Sequence, residues 1–165
     1  MIFRGSVYTV YVSLLIGMHE LLWNLSKDYD VIIITGGFED MVTRFLNKYG
    51  ILDIIKDIFA IPTIITDDGK FKANALPEEW GGPCKSGGGK LCKLTTLKFY
   101  LKSHKYEKII YIGDGSNDLC PTLILGANDL VFPRQGYSLE TKLKQNCVQA
   151  KILPWKTGLD IMKHI

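Results

Sequence analysis

Two short runs constrain the fold of this chain more than any other feature. Val31-Ile-Ile-Ile34 and Lys108-Ile-Ile-Tyr-Ile112 are almost wholly apolar and rich in β-branched residues, the composition of strands covered on both faces of a sheet. Each gives way to small polar residues, Thr35-Gly36-Gly37 and Gly113-Asp114-Gly115, and then to a helical pattern. Helices are expected at His19 to Ser26, Phe38 to Tyr49 with Gly50 as the stop, Lys93 to Ser103, from Leu119 and from Ser138. Further strands are expected at Leu130 to Phe132 and Ala150 to Leu153. Ile58 to Ile65, broken by Pro62, runs into Thr66-Asp-Asp-Gly69, a turn signal that suggests a small hairpin. Ala75 to Gly89 is rich in Gly and Pro and reads as a loop. Strands alternating with helices indicate an α/β fold, a parallel sheet with helices on both faces. The length of 165 residues suits one domain, 1–165.

Composition excludes several function classes. Twenty Lys+Arg stand against 17 Asp+Glu, giving a net charge of +3. The basic residues are scattered, so no nucleic-acid footprint appears. The cysteines at 84, 92, 120 and 147 form no Cys-x-x-Cys pair and lie far in sequence from His19, His104 and His164. A zinc site is therefore not expected; free thiols in a reducing, cytoplasmic compartment are. The apolar run Val7 to Met18 follows Arg4 but is shorter than the roughly 20 residues that span a bilayer. No small-x-small cleavage site follows it, so it is expected to belong to a core whose preceding sequence is absent, with no membrane partner. Gly113-Asp-Gly115-Ser-Asn-Asp118 carries an aspartate where a dinucleotide fingerprint needs its third glycine. Gly87-Gly-Gly-Lys90 lacks the leading glycine and the Ser/Thr of a phosphate loop, and no Gly-x-Ser-x-Gly exists.

In open α/β sheets ligands bind beyond the carboxyl ends of the strands. Thr35, Asp114 and Asp118 are expected there. Asp114 follows a strand and sits between two glycines, which leaves backbone room for a ligand. Asn117 and Asp118 come one turn later. Two carboxylates with an amide beside them suit a hard cation such as magnesium; the plain alternative for Asp118 is an N-cap on the helix at Leu119. Thr35-Gly36-Gly37 offers a hydroxyl and backbone N–H groups at a helix start, the makings of a phosphate site. Lys93 could supply positive charge to the remaining phosphate oxygens, or be a surface lysine.

Together these residues resemble the haloacid dehalogenase superfamily of phosphatases, with Ile-Ile-Ile-Thr35 similar to its second motif, Lys93 to its third and Gly113 to Asp118 to its fourth. Gly-Asp-Gly-Ser-Asn-Asp-Leu-Cys-Pro121, Phe-Pro-Arg134-Gln-Gly-Tyr137-Ser-Leu, Leu91-Cys-Lys93 and Trp155-Lys-Thr-Gly-Leu-Asp-Ile narrow the resemblance. They are similar to the phosphoethanolamine/phosphocholine phosphatase and pyridoxal phosphate phosphatase family, from about Gly17 to the last residue. The resemblance implies a Rossmann-like core, a small phosphomonoester substrate, Mg2+, and an aspartyl-phosphate mechanism in complete relatives. It places Thr35, Gly36 and Lys93 on the phosphoryl group, Thr35 and Lys93 as catalytic residues. Asp114 would ligate magnesium directly, and Asp118 would support the metal or orient Lys93.

Three departures qualify what carries over. The family's Ser-Asp-x-Asn after the second-motif strand is replaced by Thr35-Gly36-Gly37-Phe38, so its head-group contacts do not transfer. Gly87 stands where the family often has a third cysteine. The family's first motif, Asp-x-Asp at the end of the opening strand, has one counterpart here, Asp28-Tyr-Asp30, and it precedes a strand. The nucleophile is thus missing, and the chain is expected to be truncated and inactive by itself. The rival reading is a non-catalytic module that binds a phosphate ligand. In the family the missing strand lies between the Val31 to Ile34 and Ile109 to Ile112 strands; Val7 to Leu15 is expected to fill that place as a strand.

Overall fold

A computed structural model describes residues 15–68, 71–82 and 91–165. They gather into two compact units, one from Pro77 to Lys156 and the other from the residues up to Leu76 together with Thr157–Ile165. The expected strand at Val7 to Leu15 lies, Leu15 apart, outside the described residues.

In the unit holding the earlier residues, β1 (Ile32–Phe38) runs parallel to β2 (Asp57–Ile61). Around this pair are α1 (Met18–Leu25), α2 (Glu39–Lys48) and α6 (Gly158–Met162). Helix α2 places Val42, Phe45 and Leu46 on one face, and these pack with Ile51 and Ala60 as the core. Its end is set by Gly50, at φ 64°, the left-handed conformation that glycine adopts without strain. Ile51 N–H donates to Leu46 C=O and Gly50 N–H to Asn47 C=O, both at 3.0 Å, the double closure of a Schellman motif. The expected hairpin is present as β3 (Thr63–Ile65) antiparallel to β4 (Phe71–Ala73).

The other unit carries the parallel sheet β5 (Ile110–Gly113), β6 (Leu130–Pro133) and β7 (Lys151–Ile152), in that order. The middle strand β6 is buried along its whole length. Helices α3 (Lys93–Ser103), α4 (Leu119–Thr122) and α5 (Ser138–Leu143) complete it. The core here is Leu125, Val131, Leu139, Leu143 and Ala150. Both units are thus α/β, with parallel pairing as expected.

Three elements differ from the sequence-based expectation. Strand β1 does not end at Ile34 but continues through Thr35-Gly36-Gly37 to Phe38, because Ile34 faces Phe59 while Phe38 faces Ile61. Four residues of β1 advance against two of β2, a bulge that absorbs the glycines. Within the segment read as loop, Glu78–Trp80 forms a 3₁₀ turn. Helix α6 was not expected at all. Among the described residues no helix is long and apolar enough to cross a membrane.

Candidate functional site

Strand β5 ends in Gly113-Asp114-Gly115, and a 3₁₀ turn at Ser116–Asp118 folds the chain back before α4 begins. That return brings the Asp118 side chain, 2% exposed, under the strand end. Its Oδ2 accepts the N–H groups of Asp114 at 3.2 Å and Gly115 at 2.8 Å. Its Oδ1 accepts the Lys93 ammonium at 2.6 Å and the Tyr111 hydroxyl at 2.7 Å. A carboxylate offers about four lone-pair positions, so Asp118 is saturated. It caps no N–H of α4.

Lys93 is the first residue of α3 and is 9% exposed, not a surface lysine. The positive end of the helix dipole disfavours a cation there, and α3 has no acidic residue in its first turn. Asp118 supplies the missing counter-charge. Burial acts to raise the Asp118 pKa, but the Lys93 charge and the hydrogen bonds from Lys93, Tyr111 and Gly115 outweigh it and hold the carboxyl below its ordinary 3.8. For Tyr111, withdrawal from water and then the charge of Asp118 push the hydroxyl well above its ordinary 10.0, so it remains a donor.

The glycines flanking Asp114 serve this arrangement. A Cβ on Gly113 would lie 2.8 Å from Asp118 Cγ, and one on Gly115 would lie 2.6 Å from Asn117 Oδ1. The room expected for a ligand is taken by the molecule's own carboxylate and amide. Tyr111, which sequence reasoning passed over, left a signal nonetheless: a tyrosine inside an isoleucine-rich strand needs a hydrogen-bond partner for its hydroxyl.

Asp114 is different. The residue is 7% exposed, yet among the described residues its carboxylate accepts no hydrogen bond and pairs with no cation. Among the described residues no buried side-chain oxygen is orphaned, so the Asp114 oxygens keep contact with solvent. An unpaired carboxylate in a nearly closed setting is a fitting ligand for a hard cation. Among the described residues no cluster of three or more His, Cys, Asp or Glu gathers, so such a cation would retain several waters, as magnesium does.

Thr35 and Gly36 belong to the other unit. Thr35 is 5% exposed, and its Oγ1 accepts the Gly37 N–H at 3.1 Å. That N–H, expected to be free for phosphate, is spent within the bulge. Gly36 is exposed, with open space where a Cβ would stand. The first turn of α2 carries Glu39 and Asp40, which already complement the helix dipole. Asp28 and Asp30 precede β1, at its amino end, and Asp30 pairs with Lys56 at 2.5 Å. Cys92, Cys120 and Cys147 are free thiols.

Comparison with known proteins bears on what this constellation serves. The family described as "Putative Phosphatase" matches residues 6–165. The chain is similar to the pyridoxal phosphate phosphatase PHOSPHO2 of Mus musculus, 31% identical over 162 residues, covering 90% of this chain and 66% of the relative. It is also similar to the phosphoethanolamine/phosphocholine phosphatase of Gallus gallus, 28% identical over 163 residues, covering 90% of this chain and 60% of the relative. The chain thus spans less than two thirds of the length of these relatives. No solved structure matches it. The match across nearly its whole length means that the chain belongs to this phosphatase family, of the haloacid dehalogenase type.

Proposed function

We propose that this chain carries the phosphate- and cation-binding half of a magnesium-dependent phosphomonoester phosphatase. The observation that carries the reading is the buried Lys93–Asp118 pair beside the unpartnered Asp114 carboxylate. Lys93 holds the phosphoryl oxygens, its ammonium aimed by Asp118 and Tyr111. Within the other unit, Thr35 offers its hydroxyl and Gly36 unobstructed backbone as that unit's own contacts for a phosphoryl group. Asp114 is the direct ligand for magnesium. Asp118 acts one step removed, because ligating the ion would cost it one of its four donors. Bound magnesium would supply charge neutralisation at the phosphoryl oxygens.

By itself the chain should hydrolyse nothing measurably, because Asp28-Tyr29-Asp30 lies at the amino end of β1. Losing a nucleophile can cost on the order of 10⁶ in kcat. From a typical 10 s⁻¹ or so, that leaves roughly 10⁻⁵ s⁻¹. The same placement of Asp28 and Asp30 also favours the second reading, a module that binds a phosphate ligand without turning it over.

Magnesium titration and turnover of phosphoethanolamine and pyridoxal phosphate test both. Asp114→Asn should abolish magnesium binding, whereas Asp28→Asn should leave it intact. Joining a strand that ends in Asp-x-Asp upstream should restore magnesium-dependent turnover, which Lys93→Ala then removes; failure to restore it favours the binding module. Steady turnover by the chain as it stands, surviving Asp114→Ala, would refute the assignment.

A further inference from the structure

Among the described residues the Asp114 carboxylate accepts no hydrogen bond, so the placement of this side chain falls to its backbone. Asp114 N–H donates to Asp118 Oδ2 at 3.2 Å. On the other side, Asp114 C=O accepts the Leu139 N–H at 3.0 Å and the Ser138 hydroxyl at 3.4 Å. The preceding carbonyl, Gly113 C=O, accepts the Arg134 N–H at 2.9 Å. One stretch, from Arg134 just after β6 to Leu139 in the first turn of α5, thus grips both carbonyls.

The Leu139 side chain is fully buried, but Gln135, Gly136, Tyr137 and Ser138 are all exposed. Core packing therefore does not set the path by which the chain enters α5. A tight turn does, closed by Tyr137 N–H donating to Arg134 C=O at 3.2 Å. Gly136 sits at its third position with φ 79°, which such a turn requires and glycine permits. Glu140 accepts the Gly136 N–H at 2.8 Å and braces it. Side chains close the same turn: the Arg134 guanidinium carbon lies 4.3 Å from the centre of the Tyr137 ring and 5.7 Å from that of Trp155. Trp155 is buried and fixed, its indole N–H donating to Phe132 C=O at 2.9 Å and its C=O accepting Gln135 N–H at 2.8 Å. Among the described residues no carboxylate comes within ion-pair distance of Arg134. Aromatic faces, not a counter-ion, hold this guanidinium.

We propose that Arg134 is a positioning residue for the cation site: stacked on Tyr137 and Trp155, it fixes the turn into α5, which holds the Asp114 carbonyl and so aims the Asp114 carboxylate. This rests on the reading of Asp114 as the magnesium ligand. With its main chain fixed, the carboxylate has only its few staggered rotamers to choose among. Groups that orient a metal ligand without touching the metal are typically worth about 10–100-fold in affinity. Charge acts in the opposite sense, because a guanidinium near a dication repels it and its removal by itself tightens binding. The sign of the effect separates the two.

Magnesium titrations of the full chain without phosphate, followed by amide NMR shifts, test it. Arg134→Gln should weaken magnesium binding about tenfold, against the electrostatic sign. Tyr137→Leu, which changes no charge, should weaken it about threefold or more, whereas Tyr137→Phe, which keeps the ring, should bind as the native chain does. A double variant carrying both Arg134→Gln and Tyr137→Leu should be no weaker than Arg134→Gln alone, because both changes break one contact. In each weakened variant the Leu139 amide should exchange faster, while that of Leu130, bonded to Ile109 C=O at 2.9 Å, stays protected. Should Arg134→Gln not fold, the Tyr137→Leu and Tyr137→Phe pair makes the same comparison. Affinity unchanged or tighter in Arg134→Gln overturns the inference while leaving Asp114 as the ligand, as does an equal loss in Tyr137→Leu and Tyr137→Phe. A lowered Tm with unchanged affinity makes Arg134 a support of the fold alone and overturns it too. If magnesium does not bind the native chain, or binds undiminished in Asp114→Asn, the underlying reading fails.

Discussion

Asp118 holds four partners with two oxygens, and that saturation sets what its neighbours are worth. A hydrogen bond to a charged group contributes about 1.5–3 kcal/mol, so Tyr111→Phe should destabilise the protein by about that amount at neutral pH. The pH dependence follows from the depressed pKa. Asp118 contributes stability that is fully present above its unfolded value near 3.8 and is lost as pH falls through the lower folded value. Removing the Tyr111 donor raises the folded value towards the unfolded one, which shallows that acid slope. Urea unfolding from pH 7 to pH 3 should therefore show a gap between the two proteins that is constant above about pH 5 and narrows below. A gap that widens in acid would mean that Tyr111 supports something other than the Asp118 carboxylate.

Among the elements, the close approach of α1 and α6 is the most demanding. Gly158 N–H donates to Ile16 C=O at 2.8 Å, and a Cβ on Gly158 would lie 2.2 Å from the Gly17 carbonyl oxygen. Backbone, not a flexible side chain, stands in the way. Gly158→Ala should cost about 1–3 kcal/mol, as overpacking does, and lower Tm by roughly 2–4 °C per kcal/mol. Gly126→Ala, which would meet only Asp129 Oδ2 at 3.8 Å, should leave Tm nearly unchanged; equal shifts in thermal melts would contradict the packing argument. Helix α6 was also legible and overlooked. Thr157 and Asp160 have the spacing of a capping box, and Asp160 Oδ2 accepts both the Thr157 N–H at 3.0 Å and its hydroxyl at 3.1 Å. The extension of β1 was not legible, because two glycines ordinarily argue against a strand. Only pairing with β2 reveals that a bulge carries them. Asp114 and Asp118 could be placed from residue order alone, since strand ends in α/β sheets lie where ligands bind, whereas Lys93, at the start of a helix, was legible only through the family resemblance. That Asp118 fills the space beside Gly113 depends on three-dimensional closure.

For the molecule as a whole, the last nine residues, Thr157–Ile165, belong with the early segment and not with the sheet they follow in sequence. Deleting them should strip α1 of its α6 neighbour while leaving β6 intact. Hydrogen exchange should then lose protection over Met18–Leu25 and retain it over Leu130–Pro133; loss in β6 as well would mean that the two units unfold as one. Charge is partitioned as unevenly as structure. The chain carries +3 overall, yet around the end of β5 two cations, Lys93 and Arg134, meet two carboxylates, Asp114 and Asp118. A phosphate dianion diffusing past feels no net pull from this end beyond a Debye length of about 8 Å, and its encounter rate is unsteered. A divalent cation seated at Asp114, as proposed, would turn the same end doubly positive. The attracting field would then arise only once the metal had arrived, and electrostatics alone would impose an order on the two arrivals.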